Sequence, residues 1–67
     1  MITITVNGQT HTVEPGFKLV DLLAMLDLTG KRLAVEQNGQ IVPKSAHPTA
    51  PLHDGDKFEI VVAVGGG

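Results

Sequence analysis

The sequence predicts an α+β domain in which a mixed sheet of about five strands packs on one helix. Three observations predict it. Apolar and polar residues alternate near both ends of the chain, the period of half-buried strands. One central segment switches to the 3.6-residue period of an amphipathic helix. Between the alternating segments stand Asn7-Gly8, Asn38-Gly39 and Asp54-Gly55, dipeptides suited to tight turns that need positive φ.

Taken in order, Ile2, Ile4 and Val6 alternate with Thr3, Thr5 and Asn7, which makes a first strand. Asn7-Gly8 turns it into a hairpin, "QTHTVE" returns as the second strand, and Pro15-Gly16 closes it. In "KLVDLLAMLDL", Leu19, Leu22, Leu23 and Leu26 share one helical face with Asp21 and Asp27 off it. Gly30 is the expected helix terminator. "LAVEQ" and "QIV" flank Asn38-Gly39 as a second hairpin. Pro43, Pro48 and Pro51 keep residues 43–53 out of regular pairing, as an ordered crossover loop. Asp54-Gly55 then turns into the last strand, "KFEIVVAV".

The order β-β-α-β-β-β, with the last strand central, is that of the β-grasp or ubiquitin-like fold. The expected core is Ile4, Val6, Val13, Leu19, Leu22, Leu23, Leu26, Val35, Leu52, Phe58, Ile60 and Val62. The unbroken apolar run from Ile60 to Val64 suggests a strand covered on both faces for part of its length. The expected organisation is one domain over residues 1–64 and a flexible tail of Gly65, Gly66 and Gly67.

Composition excludes several classes. At 67 residues the chain sits near the lower size limit for a self-sufficient core. It has no Cys, so aliphatic packing rather than disulfides or zinc must hold the fold. A net charge of −2 gives no basic footprint for nucleic acid. No stretch is long enough to span a bilayer, and "MITITVNG" lacks the regions of a signal peptide, so a cytoplasmic protein is expected.

The segment "AVEQNGQIVPKSAHPTAPLHDGDKFEIVVAVGGG" resembles the second half of ThiS, the sulfur carrier family of thiamine thiazole biosynthesis. The "VNG" of the first hairpin and the Gly16–Leu23 helix start are similar too, so the resemblance spans nearly the whole chain. It implies a carrier that is not itself an enzyme and binds no cofactor of its own. Its C-terminal carboxylate, on Gly67, is adenylated with ATP by a ThiF-like activating enzyme and converted to a thiocarboxylate. The sulfur donor is a cysteine desulfurase or rhodanese-like protein, and the acceptor is a ThiG-like thiazole synthase. The chain departs from the family at Lys18, where a capping Thr or Ser is usual, and in the additional Gly65. Lys18 offers no capping oxygen, a deficit of roughly 1 kcal/mol that Asp21 partly offsets.

The tail agrees with that reading on chemical grounds. A carboxylate is a poor electrophile until one oxygen becomes a good leaving group, so the chain end must enter a nucleotide site. Three extended glycines reach about 10 Å and, without Cβ atoms, thread a narrow channel. Without cysteine, no side-chain thiol can hold sulfur, and the terminal carboxyl is what remains. Three glycines alone carry little recognition, so a surface on the body is required. Val62, Ala63 and Val64, at the end of the strand that delivers the tail, are the expected partner contacts; Val62 and Val64 share one face, and Val61 and Ala63 the other.

Other residues read as structural. His11, His47 and His53 are too scattered for a metal motif and read as surface or loop histidines. The seven carboxylates are spread through turns and faces as solvated charge. Both "NGQ" triplets read as turn chemistry and nothing more. Ser45, the only serine, lacks the context of a phosphopantetheine site. Two alternatives stand beside the thiamine carrier. One is the small sulfur-carrier subunit of molybdopterin synthase, and the other is a non-catalytic β-grasp interaction module with a frayed tail.

Overall fold

The computed structural model describes residues 1–63. Its strands are β1 (Ile2–Val6), β2 (Gln9–Val13), β3 (Leu33–Gln37), β4 (Gln40–Val42) and β5 (Lys57–Val62), with one helix, α1 (Leu19–Met25). A single turn of 3₁₀ helix, Lys44–Ala46, lies in the crossover between β4 and β5. The sheet order is β2-β1-β5-β3-β4, so the last strand is central, as its sequence suggested. β1 and β5 run parallel, and the other neighbours are antiparallel.

One face of this sheet meets α1. Ile4, Val6 and Val13 from the first hairpin, Val35 from β3, and Phe58 and Ile60 from β5 are buried against Leu19, Leu22 and Leu23. Leu52 closes the cluster from the crossover loop. Leu26 and Val62, expected in the core, are only half-buried, because both stand at the end of the helix–sheet sandwich where the two layers part. Among the described residues, no helix covers the opposite face of the sheet. Val61 is therefore 69% exposed, and the apolar run from Ile60 does not mark a strand covered on both sides.

A seven-residue helix is too short to persist alone, so α1 exists through its packing and its ends. Lys18 is the N-cap and supplies no side-chain oxygen. The crossover loop replaces it: the Ala50 carbonyl accepts the Leu19 N–H at 2.9 Å, and the His47 carbonyl accepts the Val20 N–H at 3.1 Å. Asp21 completes the start by accepting the Lys18 N–H on its carboxylate at 2.8 Å. The missing cap oxygen is thus compensated by backbone carbonyls about thirty residues away in sequence, tying the crossover to the helix. His47, read as a surface or loop residue, lies in that loop but is buried there, its Nε2–H donating to the Val42 carbonyl at 3.2 Å.

The helix ends earlier than Gly30. Leu26 is the C-cap and Asp27 takes the left-handed conformation, with φ of 60°. Its N–H bonds the Ala24 carbonyl at 3.1 Å, and the Leu28 N–H bonds the Leu23 carbonyl at 2.8 Å, which is a Schellman motif. Gly30 also has positive φ, but in the following turn. The motif places a carboxylate, and a Cβ, where glycine is ordinarily favoured and where the helix dipole is negative. Asp27→Gly should therefore stabilise the domain by about 1 kcal/mol, a rise in Tm of about 4–8 °C at this size. A Gly variant melting at or below the parent temperature would contradict that reading of the helix end.

Candidate functional site

The site expected from the sequence is the end of β5 and the tail beyond it. What fixes β5 in place is a set of side-chain amides. On its β1 flank, the Asp56 carbonyl accepts the Thr5 N–H at 3.0 Å and the Phe58 carbonyl accepts the Asn7 N–H at 2.9 Å. There β1 turns away, with Asn7 at φ of 50°. The Asn7 side chain continues the ladder in its place: Oδ1 accepts the Ile60 N–H at 2.7 Å and Nδ2 donates to the Ile60 carbonyl at 3.0 Å. A planar amide presents the same donor and acceptor as a peptide unit, so it serves as one more rung.

Asn38, in the equivalent turn of the second hairpin, does the same on the other flank. Its Oδ1 accepts the Lys57 N–H at 2.9 Å, and its own N–H bonds the Lys57 carbonyl at 2.7 Å. Its Nδ2 donates to Asp56 Oδ1 at 2.9 Å. The two asparagines of the "NGQ" triplets are therefore more than turn formers, since each grips the backbone of β5.

Asp56 is the buried residue at the foot of the strand. Its Oδ2 accepts the Gln37 Nε2–H and the His53 N–H, both at 2.8 Å. Burial pushes this carboxyl up, but the Asn38 amide, the His53 N–H, the Gln37 amide and the nearby His53 ring outweigh it and hold the group below the ordinary aspartate value. The His53 Nδ1 lies 3.7 Å from Oδ2.

At the other end, β5 loses its partners one side at a time. Pairing with the β1 side stops at Ile60, whereas β3 continues, with Leu33 opposite Val62 and the Arg32 carbonyl accepting the Ala63 N–H at 2.9 Å. Val61 and Ala63 face outward and are exposed, with Ala34 directly across from Val61. Val62 points to the helix side and is half-buried near Val6, Leu26 and Leu28. Of the expected partner contacts, then, Ala63 lies on the open face and Val62 does not. Val61, which the sequence reading did not single out, is the exposed apolar residue at the exit; its signal was alternation against Phe58 and Ile60. Val64 and the glycines Gly65, Gly66 and Gly67 lie outside the described residues.

Beside the exit, a groove of about 260 Å³ opens between α1, the residues leading into β3 and the crossover loop. Val20, Leu23 and Leu33 help to line its apolar walls, and Lys31, Arg32 and Lys44 stand around it.

A mixed five-stranded sheet on one helix, with the last strand central, defines a small β-grasp body. The chain belongs to the ThiS family, whose model matches residues 4–67. Among solved structures it is similar to a thiamine biosynthesis protein (ThiS) from Geobacter metallireducens, with a TM-score of 0.78, 31% identity, and coverage of 98% of this chain and 100% of that one. It is also 38% identical over 64 residues to a thiazole synthase of Paramagnetospirillum magneticum, and 36% identical over 66 residues to protein ycf40 of Pyropia yezoensis. The second match covers 98% of this chain and 93% of ycf40. The first covers 96% of this chain but only 20% of the thiazole synthase, so the chain spans a fifth of that relative's length.

The Asp56 network makes an acid limit to stability. Its folded pKa is lowered, so the stabilisation is fully present above the ordinary aspartate value and is lost as pH falls through the lowered one. Asp56→Asn places an amide N–H₂ against groups that all donate, and should cost about 1–3 kcal/mol at neutral pH. Thermal melts from neutral pH downward should show the parent losing its advantage over Asp56→Asn across that acid window. A constant difference at every pH would contradict the assignment.

Proposed function

We propose that this chain is a sulfur carrier protein of thiamine thiazole biosynthesis and a co-substrate of other enzymes rather than a catalyst. The observation that supports it most is the ThiS family match, which runs through residues 4–67 and so includes the three glycines. In this reading residues 1–64 are the body and Gly65, Gly66 and Gly67 the tail. One oxygen of the Gly67 carboxylate attacks the α-phosphate of ATP on a ThiF-like enzyme, and pyrophosphate leaves. The outer sulfur of a persulfide carried by a cysteine desulfurase or rhodanese-like protein then attacks the carbonyl carbon and AMP departs, leaving an acyl disulfide between the two proteins. A second thiol, acting as the two-electron reductant, cleaves that S–S bond; it ends as a disulfide with the donor cysteine, and the thiocarboxylate is released. A ThiG-like thiazole synthase takes that sulfur, and all of this takes place in the cytoplasm.

The body contributes no reacting group to these steps. Its task is to hold β5 in one pose while the tail enters a partner. The amides of Asn7 and Asn38 do the holding. The docking face in this proposal is the open end of the sheet at Val61 and Ala63, with Val62 and Val64 beside it. Both partners use it, one at a time.

Intact mass spectrometry after incubation with an activating enzyme, ATP and a sulfur source tests the chemistry. Replacement of one oxygen by sulfur, mapped to Gly67, is the expected outcome, and an unmodified chain under conditions that modify a known carrier would refute it. Deleting Gly66 and Gly67 should abolish sulfur acceptance with Tm nearly unchanged, since glycines offer no side chain for packing.

Docking is tested by charge. Val61→Asp should fold normally, because the residue is exposed, yet weaken both complexes by about 1–3 kcal/mol. Val62→Asp should lose stability as well, since its side chain is half-buried on the helix side. Normal adenylation of a folded Val61→Asp would remove this face from the interface.

A further inference from the structure

The groove beside the exit has no part in the chemistry above, yet its composition is unusual for this chain. The protein has five Lys and Arg against seven Asp and Glu. Three of those five cations, Lys31, Arg32 and Lys44, stand around this one groove, and among the described residues no carboxylate lines it. The groove is thus a local positive site on a net negative molecule. None of the three cations pairs with a carboxylate among the described residues.

Its walls point to the occupant. Val20 is 38% exposed on the helix surface, and with Leu23 and Leu33 it gives an apolar lining that a hydrophilic small anion would leave unused. An apolar side chain flanked by carboxylates fits both features, and such a segment belongs to a protein. The groove is also continuous with the proposed docking end: Arg32 stands at its rim, and the Arg32 carbonyl holds the Ala63 N–H. A partner whose acidic, apolar-anchored segment fills the groove is thereby placed next to the strand that delivers the tail.

We propose that this cation-rimmed groove docks an acidic segment, anchored by an apolar side chain, on the thiazole synthase that receives the sulfur. This rests on the carrier reading above. The choice of thiazole synthase follows from the match to a protein of that name that carries a stretch similar to 96% of this chain within its own polypeptide. The groove would act as a second point of attachment, steering approach by charge and fixing the orientation from which the tail enters.

The test uses the full chain and a purified thiazole synthase that binds it, with affinity measured by titration at low and at physiological salt. Lys31→Glu/Lys44→Glu should bind about tenfold more weakly or worse, with a flatter salt dependence than the parent. Lys31→Gln/Lys44→Gln should fall between the two, and Lys57→Glu, a cation at the far end of β5, should bind as the parent does. All of the substituted side chains are exposed, so melting temperatures should match. An unchanged dissociation constant for the double Glu variant, while the parent binds and accepts sulfur, overturns the groove proposal and leaves the carrier reading standing. A parent chain that neither accepts sulfur nor binds the synthase overturns both. Loss of binding to the activating enzyme alone, or loss of parent binding on adding phosphate at constant ionic strength, assigns the groove another occupant and also overturns the proposal.

Discussion

The structure depends on one constraint: β5 is held from both sides along its first four residues and from one side only between Val61 and Ala63. Two asparagine amides meet the first half of that requirement. Asn38 takes the backbone of Lys57 from one side and Asn7 takes the backbone of Ile60 from the other. Each arises from the same local device, an Asn-Gly turn with positive φ at both positions, which leaves the Asn side chain free to reach sideways. With net contributions of about 0.5–1.5 kcal/mol per hydrogen bond, these contacts are a substantial share of the stability of so small a domain. The Asn7 bonds also bridge residues 53 apart in sequence, which makes the first hairpin and the last strand a single unit.

The crossover loop is bound into the same arrangement. Its carbonyls at His47 and Ala50 cap the helix, its Leu52 closes the core, and its Pro51 carbonyl accepts from Gln37 at 3.2 Å. Gln37 in turn reaches Asp56, the residue just before β5. A short helix without a capping side chain is tolerable here because the loop that caps it is pinned by the strand the helix packs against. Loosening Asp56 therefore reaches the helix through the loop as well as the strand through Asn38.

Much of this was legible from residue periods and turns. Alternation at Ile2, Ile4 and Val6, the leucine spacing from Leu19, and the Asn-Gly turns are local signals, and local signals carried the fold and most of the core. What they could not carry was any contact set by long-range register. Nothing near Asn7 says that its amide will face Ile60, and nothing near Lys18 says that Ala50 will supply the missing cap. Alternation puts Val61 on the face opposite Phe58 and Ile60, but a continuous apolar run does not say whether that second face is covered. The helix available to cover the sheet decides which side is wet. Likewise Gly30 drew the helix end toward itself because glycine is the usual left-handed residue, while Asp27, the rarer choice, took the position. For the candidate site, the central place of the last strand and the shared face of Val61 and Ala63 were readable, whereas the groove was not. Lys31 and Lys44 are separated by a whole hairpin in sequence and meet only through the fold.

The release of β5 follows from the same geometry as its grip. Through Ile60 the strand has a partner on both sides; from Val61 to Ala63 only β3 accompanies it, ending at the Arg32 carbonyl. An edge strand would have lacked the two-sided hold that β5 has through Ile60. The turn at Asn7 withdraws β1 early, and the Asn7 amide replaces its backbone for one further rung only. The point at which β5 passes from two-sided to one-sided pairing is thus fixed by where the first hairpin turns. The first hairpin, far from β5 in sequence, thereby sets how much of that strand is held from both sides.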